Sequence, residues 1–382
     1  MPNRFPTPPP AHGASVEQSF LVAAGAHLAL TGAAILHQGE GLFPLPLNPG
    51  LVATVHLFVL GVVTLALMGI GYRLLPHWSG LPVPWPALIP WTLGSLIVGA
   101  LSVYLGIGTS LHRWFLLSAS AGVGLGCGFF LLQCGLSLLR APRAHPALPL
   151  ARIAHLSLAG VLALGATFLG EYAHGFLPYD RLAMVGTHLT WGLFGWAGTL
   201  LFLARISLLT GHFNDWNSRI PTLVLTGIPA SLLLVPAGLF LLPDEPRWLW
   251  LTTLPGGASL IFLTASARKL GVNPYWNLGD LTGVAALAVL LSWPLQPEPS
   301  WRLLFGALWL PGWCLSQLFG LYAVWRPGRL GRLHLACHTA ALALLVSATF
   351  AGWGGLAVPA GGMLLLSALL FLRALRLEPV HA

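Results

Sequence analysis

Apolar residues run along this chain in blocks of about twenty, broken by short turns rich in Pro, Gly and Arg. A block of that length, wound as a helix, crosses a hydrocarbon layer ~30 Å thick. Twelve blocks are read, at roughly 16–38, 50–74, 84–108, 112–139, 149–174, 181–211, 219–243, 246–267, 277–297, 301–325, 330–352 and 354–375. The 181–211 block is long enough to tilt or protrude. No connection is long enough for another domain, so 16–376 reads as one membrane domain with a tail of 1–15 before it and a short one of 377–382 after it. The leading MPNRFPTPPPAHGAS is Pro-rich and polar and lacks the basic start, apolar centre and cleavage site of a signal peptide, so it reads as exposed. The expected fold class is all-α integral membrane.

Composition agrees with the pattern. Of 382 residues 56% are apolar and 7% charged, with a mean hydropathy of +0.79. Soluble domains carry about 25% charged residues, so there is too little charge here to clothe a water-facing surface. A net charge of +8 would suit nucleic acid if it formed a basic stripe, but no such run exists, and nucleic-acid binding is excluded. The charge sorts by side instead. With the N-terminus cytoplasmic, the inner segments hold Arg4, Arg73, Arg140, Arg143, Arg152, Arg205, Arg219, Arg268, Lys269, Arg326, Arg329, Arg332, Arg373 and Arg376. The outer loops hold only Arg113, Arg181, Arg247 and Arg302. This positive-inside bias predicts twelve spans with both termini cytoplasmic.

Histidine is the unusual residue, with 14 copies against 10 acids. His27, His56, His188 and His338 fall well within spans, and His37, His155, His174 and His334 lie near span ends. Ionisable side chains in a bilayer are expensive and mark functional sites unless they are bonded to backbone or a neighbouring helix. A proton pump or cation transporter calls for carboxylates at mid-membrane, whereas the acids here sit near span ends or in loops. Neutral imidazoles without carboxylates suit haem iron or copper, which take the unprotonated ring nitrogen.

Two spans share a layout. In VHLFVLGVVTLALMGIGYRLLPHWSG, from Val55, and THLTWGLFGWAGTLLFLARISLLTGH, from Thr187, a His near the outer end is followed seventeen residues later by Arg73 or Arg205. That separation is ~25 Å along a helix, which puts the arginine at the opposite membrane face. Gly61, Gly69, Gly192 and Gly195 dot the helices between and allow a macrocycle or another helix to approach closely. His56 and His188 are 132 residues apart, and AHLALTG (from Ala26) and AHLSLAG (from Ala154) are 128 apart. The similar offsets predict a repeat of about four spans, hence three pseudo-repeated four-helix units, the third without a matching His in its tenth span.

The run His56, Gly61, Gly69, Pro76, Trp78, Gly80 resembles the second-span signature of NnrS proteins. These are twelve-span bacterial membrane proteins described as containing haem and copper and linked to nitric oxide metabolism. The same run, with Tyr72 and Pro76, is similar to the haem-ligating helix of haem–copper oxidase subunit I. The stretch His188–Gly211 resembles another NnrS helix, and LWLPGWCLSQLFGLYAVWRP, from Leu308, resembles that family's C-terminal Trp and Tyr pattern. Together these cover about 70 residues. The departures are specific: Thr54 stands where both relatives show the first His of His-x-His, and the His-His pair and the His-Pro-Glu-Val-Tyr stretch of the oxidases are absent. A complete oxidase-type binuclear centre is therefore not expected; a haem protein on the same scaffold is.

What the resemblance implies is b-type haem, with copper as a further metal, in a bacterial-type inner membrane, serving respiratory electron transfer or nitric oxide chemistry. His56 is the first candidate ligand, His188 the second at similar depth, and His27 the third, facing His56 across the bundle. His334 and His338, four apart on one helical face, lie toward the cytoplasmic side, where His155 joins them, and read as a second cofactor site or a quinol-facing polar cluster. His37, Glu40, Glu171, Tyr172, His174 and Asp180 form an outer group, either a solvated rim or a vestibule above the site. A cytochrome c or copper-protein partner fits a reading as a non-catalytic anchor subunit, and twelve spans with a repeat also fit a secondary transporter. Trp78, Trp85, Trp248, Trp250 and Trp301 sit at span ends as interfacial anchors to lipid. Cys127, Cys134, Cys314 and Cys337 have no Cys-x-x-Cys spacing and read as small packing residues.

Overall fold

A computed structural model describes residues 12–43, 48–108, 112–141, 147–174, 181–210, 219–241, 273–292, 299–326 and 328–376. Among them 93% are helical and none is in a strand. The helices are α1 (His12–Gln38), α2 (Pro49–Phe58), α3 (Leu65–Ser79), α4 (Ile89–Gly108), α5 (Arg113–Arg140), α6 (Leu148–His174), α7 (Arg181–Thr190), α8 (Thr199–Thr210), α9 (Arg219–Leu241), α10 (Pro274–Ser292), α11 (Pro299–Ala307), α12 (Leu315–Trp325), α13 (Arg332–Phe350) and α14 (Ala357–Arg376). Three wider-wound π segments join pairs of these into continuous rods: π1 (Val59–Thr64) between α2 and α3, π2 (Trp191–Gly198) between α7 and α8, and π3 (Leu308–Cys314) between α11 and α12.

Eight helices among the described residues are long and apolar enough to cross a membrane: Val16–Leu42, Pro49–Ser79, Pro86–Gly108, Arg113–Arg140, Leu148–Glu171, Ser300–Trp325, Arg332–Phe350 and Gly354–Arg376. Within the spans expected at 181–211, 219–243 and 277–297, the described residues form α7–π2–α8, α9 and α10, which do not meet that measure among the described residues, and the span expected at 246–267 lies outside them. Large apolar side chains such as Leu30, Val98, Leu117, Leu125, Leu132, Leu139 and Leu156 are exposed on the outward faces. Contiguous apolar surface of this kind belongs against lipid rather than water, so this is a membrane protein.

Consecutive helices pack on one another, and α14 returns to pack broadly on α1. Glycine makes the closest approaches possible. A Cβ on Gly32 would come within 2.6 Å of the Leu365 backbone nitrogen, and one on Gly361 within 2.5 Å of that of Leu36. Gly99 and Gly122 do the same between α4 and α5. Without a hydrophobic drive between helices in lipid, such backbone contact is what holds them.

The three rods with π segments lie inside. Of the apolar windows in Pro49–Ser79 and Ser300–Trp325, 67% and 72% is buried, against 22% in Leu148–Glu171. In the middle rod, residues 193–205 are buried without a break. α3 touches α8, α8 touches α12, and Arg73 of α3 lies over the Trp325 ring of α12, so the inner rods meet at one end.

Two expectations need correction. Arg205 is not a loop charge facing the cytoplasm but is 4% exposed inside the bundle, where it finds an acid partner. Trp78 is not an interfacial anchor either: it is buried and donates its indole N–H to Ser207 Oγ at 2.9 Å. Trp85 is exposed as expected, Trp301 packs its ring against Phe350, and Trp248 and Trp250 lie outside the described residues. All four cysteines are buried and unpaired.

Candidate functional site

The π segments begin three residues after His56, three after His188 and three after Phe305. A π turn holds an extra residue and shifts the carbonyl ladder, a distortion found mostly at functional sites. In π2 the displaced carbonyl of Phe194 accepts the Thr199 hydroxyl, five residues on, at 3.0 Å. The widened turns re-aim the side chains on either side of them, and two of those are imidazoles.

His56 and His188 face one another, with ring centroids 6.4 Å apart and planes inclined by 30°. The His56 Nδ1 lies 2.8 Å from the Val52 carbonyl. A carbonyl only accepts, so Nδ1 carries the proton and Nε2 keeps its lone pair. In His188 it is Nδ1 that is buried without a hydrogen-bond partner. Phe168 meets this ring edge-on at 5.7 Å, and Gly165 lies against its Cε1 without a side chain of its own.

His27 and His155 repeat the His56 arrangement. Each donates Nδ1–H to the carbonyl four residues back, Ala23 at 2.9 Å and Ala151 at 2.8 Å, and each has a buried, unpartnered Nε2. His27 lies against Gly61 of π1, where any Cβ would collide with its ring. His155 stacks on Phe130 at 5.3 Å and meets the edge of Trp196 of π2 at 6.2 Å. Each leans from an outer helix onto the π segment of an inner one.

His334 and His338 differ. The Tyr275 hydroxyl sits 2.7 Å from His334 Nδ1, and the Ser367 hydroxyl 3.3 Å from its Nε2. Ser316 Oγ lies 2.8 Å from His338 Nε2, while His338 Nδ1 is buried without a partner. Both rings stand edge-on to Phe319, at 4.4 and 5.1 Å. His155 has Phe130 and Trp196 as its neighbours, while the His334–His338 pair surrounds Phe319. In the outer group Glu171 pairs with Arg181 at 3.6 Å, and His37 and Glu40 are exposed. The side chains of Tyr172 and His174, and Asp180, lie outside the described residues.

Sequence reasoning missed two arginine–carboxylate pairs. Arg205 makes a two-pronged contact with Asp280, Nη1–Oδ1 at 2.6 Å and Nη2–Oδ2 at 3.1 Å. Gln317 closes the knot, donating Nε2–H to Asp280 Oδ1 at 3.1 Å and accepting from Arg205 Nη1 at 3.2 Å. The guanidinium lies 4.8 Å from the centre of the Trp276 ring. At the matching position of the first inner rod, Arg73 pairs with Glu17 and lies over Trp325. In the third rod that position, seventeen residues after Phe305, is Tyr322, packed on Phe371. The available signal was the shared seventeen-residue spacing of the two arginines from their histidines.

No group of three or more His, Cys, Asp or Glu among the described residues is gathered as a metal-ion site. A bare zinc or catalytic copper site takes three or four protein ligands. Two imidazoles suffice only for a metal that brings its other donors with it, as haem iron does with its four pyrrole nitrogens, or for a two-coordinate soft ion. The donor set at His56 and His188 therefore fits haem better than a naked divalent metal. No protein-family model matches the sequence, and no curated protein matches it either.

Proposed function

We propose that this chain is a haem-binding integral membrane protein, NnrS-like within the haem–copper oxidase subunit I-like superfamily, working in respiratory electron transfer or nitric oxide chemistry. The observation that carries the reading is the facing pair His56 and His188, two neutral imidazoles with no carboxylate between them. Where a metal is bound, His56 Nε2 and His188 Nδ1 would be the nitrogens to hold it, since His56 Nδ1 is tied to Val52 and His188 Nδ1 has no hydrogen-bond partner. Bound haem supplies a one-electron iron centre. The chain contributes the rest. The Val52 carbonyl fixes the tautomer and direction of His56. Gly165 and Phe168 shape the wall beside His188. Copper is the second metal to test for, by metal analysis of the purified chain.

The same proposal includes twelve spans in three four-helix units, both termini on the cytoplasmic side of a bacterial-type inner membrane. Its support is the recurrence of one inner rod with a π segment in each third of the chain, and of His27 and His155 at the repeat offset. A cytochrome c, a copper protein or quinol would be the redox partner. The transporter reading draws on the same helix count, but the two carboxylates buried among the described residues, Glu17 and Asp280, are held by arginine.

The test is the absorbance spectrum of the full chain purified from haem-replete cells. A Soret band with sharp α and β bands on reduction, lost in His56→Ala, is the expected result. A folded, colourless protein would overturn the proposal.

A further inference from the structure

The last two helices, α13 and α14, are joined by the short turn 351–356 and pack on each other in opposite directions. The start of α13 therefore lies level with the end of α14: His334 Nε2 is 3.3 Å from the Ser367 hydroxyl, and its ring is 6.4 Å from that of Phe371. Arg332 stands just before that contact, and Arg373 and Arg376 just beyond it. All three arginines are exposed, as is Arg329 in the turn that leads into α13. From 333 to 372 there is no Asp, Glu, Lys or Arg, and the opposite end of the helix pair exposes Phe350 and Trp353 instead. The charge is confined to one end.

Nothing among the described residues balances it. α12, α13 and α14 carry no acid, and the one acid of α1, Glu17, pairs with Arg73. Helix electrostatics explains only part of the cluster. Arg373 and Arg376 suit the last turn of α14, where the dipole favours a cation, but Arg332 opens α13, where the dipole opposes one. Gly331 gives that first turn no side-chain cap. Along the membrane the exposed surface is shaped as well as apolar. Ala336, Thr339 and Ala343 continue the Arg332 face of α13 as a low track of small side chains, and Leu366 and Leu369 lie on the same face of α14 as Arg373 and Arg376.

We infer that this end of α13 and α14 is a binding site for one anionic phospholipid, with its phosphate on Arg332, Arg373 and Arg376 and an acyl chain along Ala336, Thr339 and Ala343. A guanidinium meets a phosphate through two parallel N–H bonds. Each basic residue near an anionic headgroup is worth roughly fivefold in affinity. A zwitterionic lipid brings its own ammonium group, which cancels that gain.

The experiment uses the full-length chain in nonionic detergent, with retained lipid counted by native mass spectrometry. The probes are phosphatidylglycerol and phosphatidylcholine with the same acyl chains. Phosphatidylglycerol is expected to bind at least about tenfold more tightly. The triple variant Arg332→Gln/Arg373→Gln/Arg376→Gln should reduce it to the level of phosphatidylcholine, whereas Arg140→Gln, at an exposed position on α5, should leave it unchanged. Arg332→Gln alone, weaker by roughly fivefold, decides the matter if the triple variant does not fold. Ala336→Trp fills the track without changing charge and should also weaken binding. Equal retention of the two lipids, or phosphatidylglycerol held as tightly by the triple variant, would overturn the site. Inorganic phosphate that displaces the lipid at equal concentration would overturn the assignment to a lipid, and binding unchanged in Ala336→Trp would overturn the acyl-chain track.

Discussion

His56 with His188, and His334 with His338, are two pairs of imidazoles inside one bundle, and their ring nitrogens meet different ends. The first pair is partly open, faces across two helices, and holds one nitrogen per ring in reserve. The second pair is sealed, sits on one helix face, and has three of its four nitrogens within hydrogen-bond distance of Tyr275, Ser367 and Ser316. Under the proposed function the first pair would serve as ligands, while the second is a structural cross-link. What separates the two uses is whether a hydroxyl already holds the lone pair.

This contrast can be broken most forcefully at the facing pair, the proposed ligands. His56→Ala should abolish haem binding altogether, read as loss of the Soret band in protein that still elutes as a folded species, whereas His334→Phe should keep the band. The next largest effect belongs to the buried knot. Arg205→Leu strands the Asp280 carboxylate, and breaking a buried pair in this way costs about 3–5 kcal/mol, seen as a large fall in thermal midpoint in detergent. Arg205→Leu with Asp280→Leu should recover most of that loss, because no unpaired charge remains. At the cross-link, His334→Phe leaves the hydroxyls of Tyr275 and Ser367 without their nitrogen, at a cost of about 1–3 kcal/mol. The smallest effect is at the outer rim. Glu171→Gln removes a pair whose Arg181 is 54% exposed, and exposed pairs contribute ~0.5 kcal/mol or less, within the error of a melting curve.

Much of the helix pattern was legible because a twenty-residue apolar block has few other fates. The equivalent depth of His56 and His188 was legible too, since the following arginine sets the register of both rods. The π segments were not, because one added residue per turn leaves no mark on hydropathy. The burial of Arg205 was also hidden: read alone at the end of an apolar run, an arginine looks like a cytoplasmic anchor, and its partner Asp280 lies 75 residues away. Trp78 misled for the same reason, because its partner Ser207 is 129 residues distant. Long-range pairing decides whether a polar residue at a span end faces water or its own fold. Spacing along one helix does not contain that information.

The most direct test of the account is the haem-to-protein ratio of two double variants purified side by side, His56→Ala/His188→Ala and His334→Phe/His338→Phe. The account predicts no haem in the first and the wild-type ratio in the second. Haem retained in the first and lost from the second would contradict it.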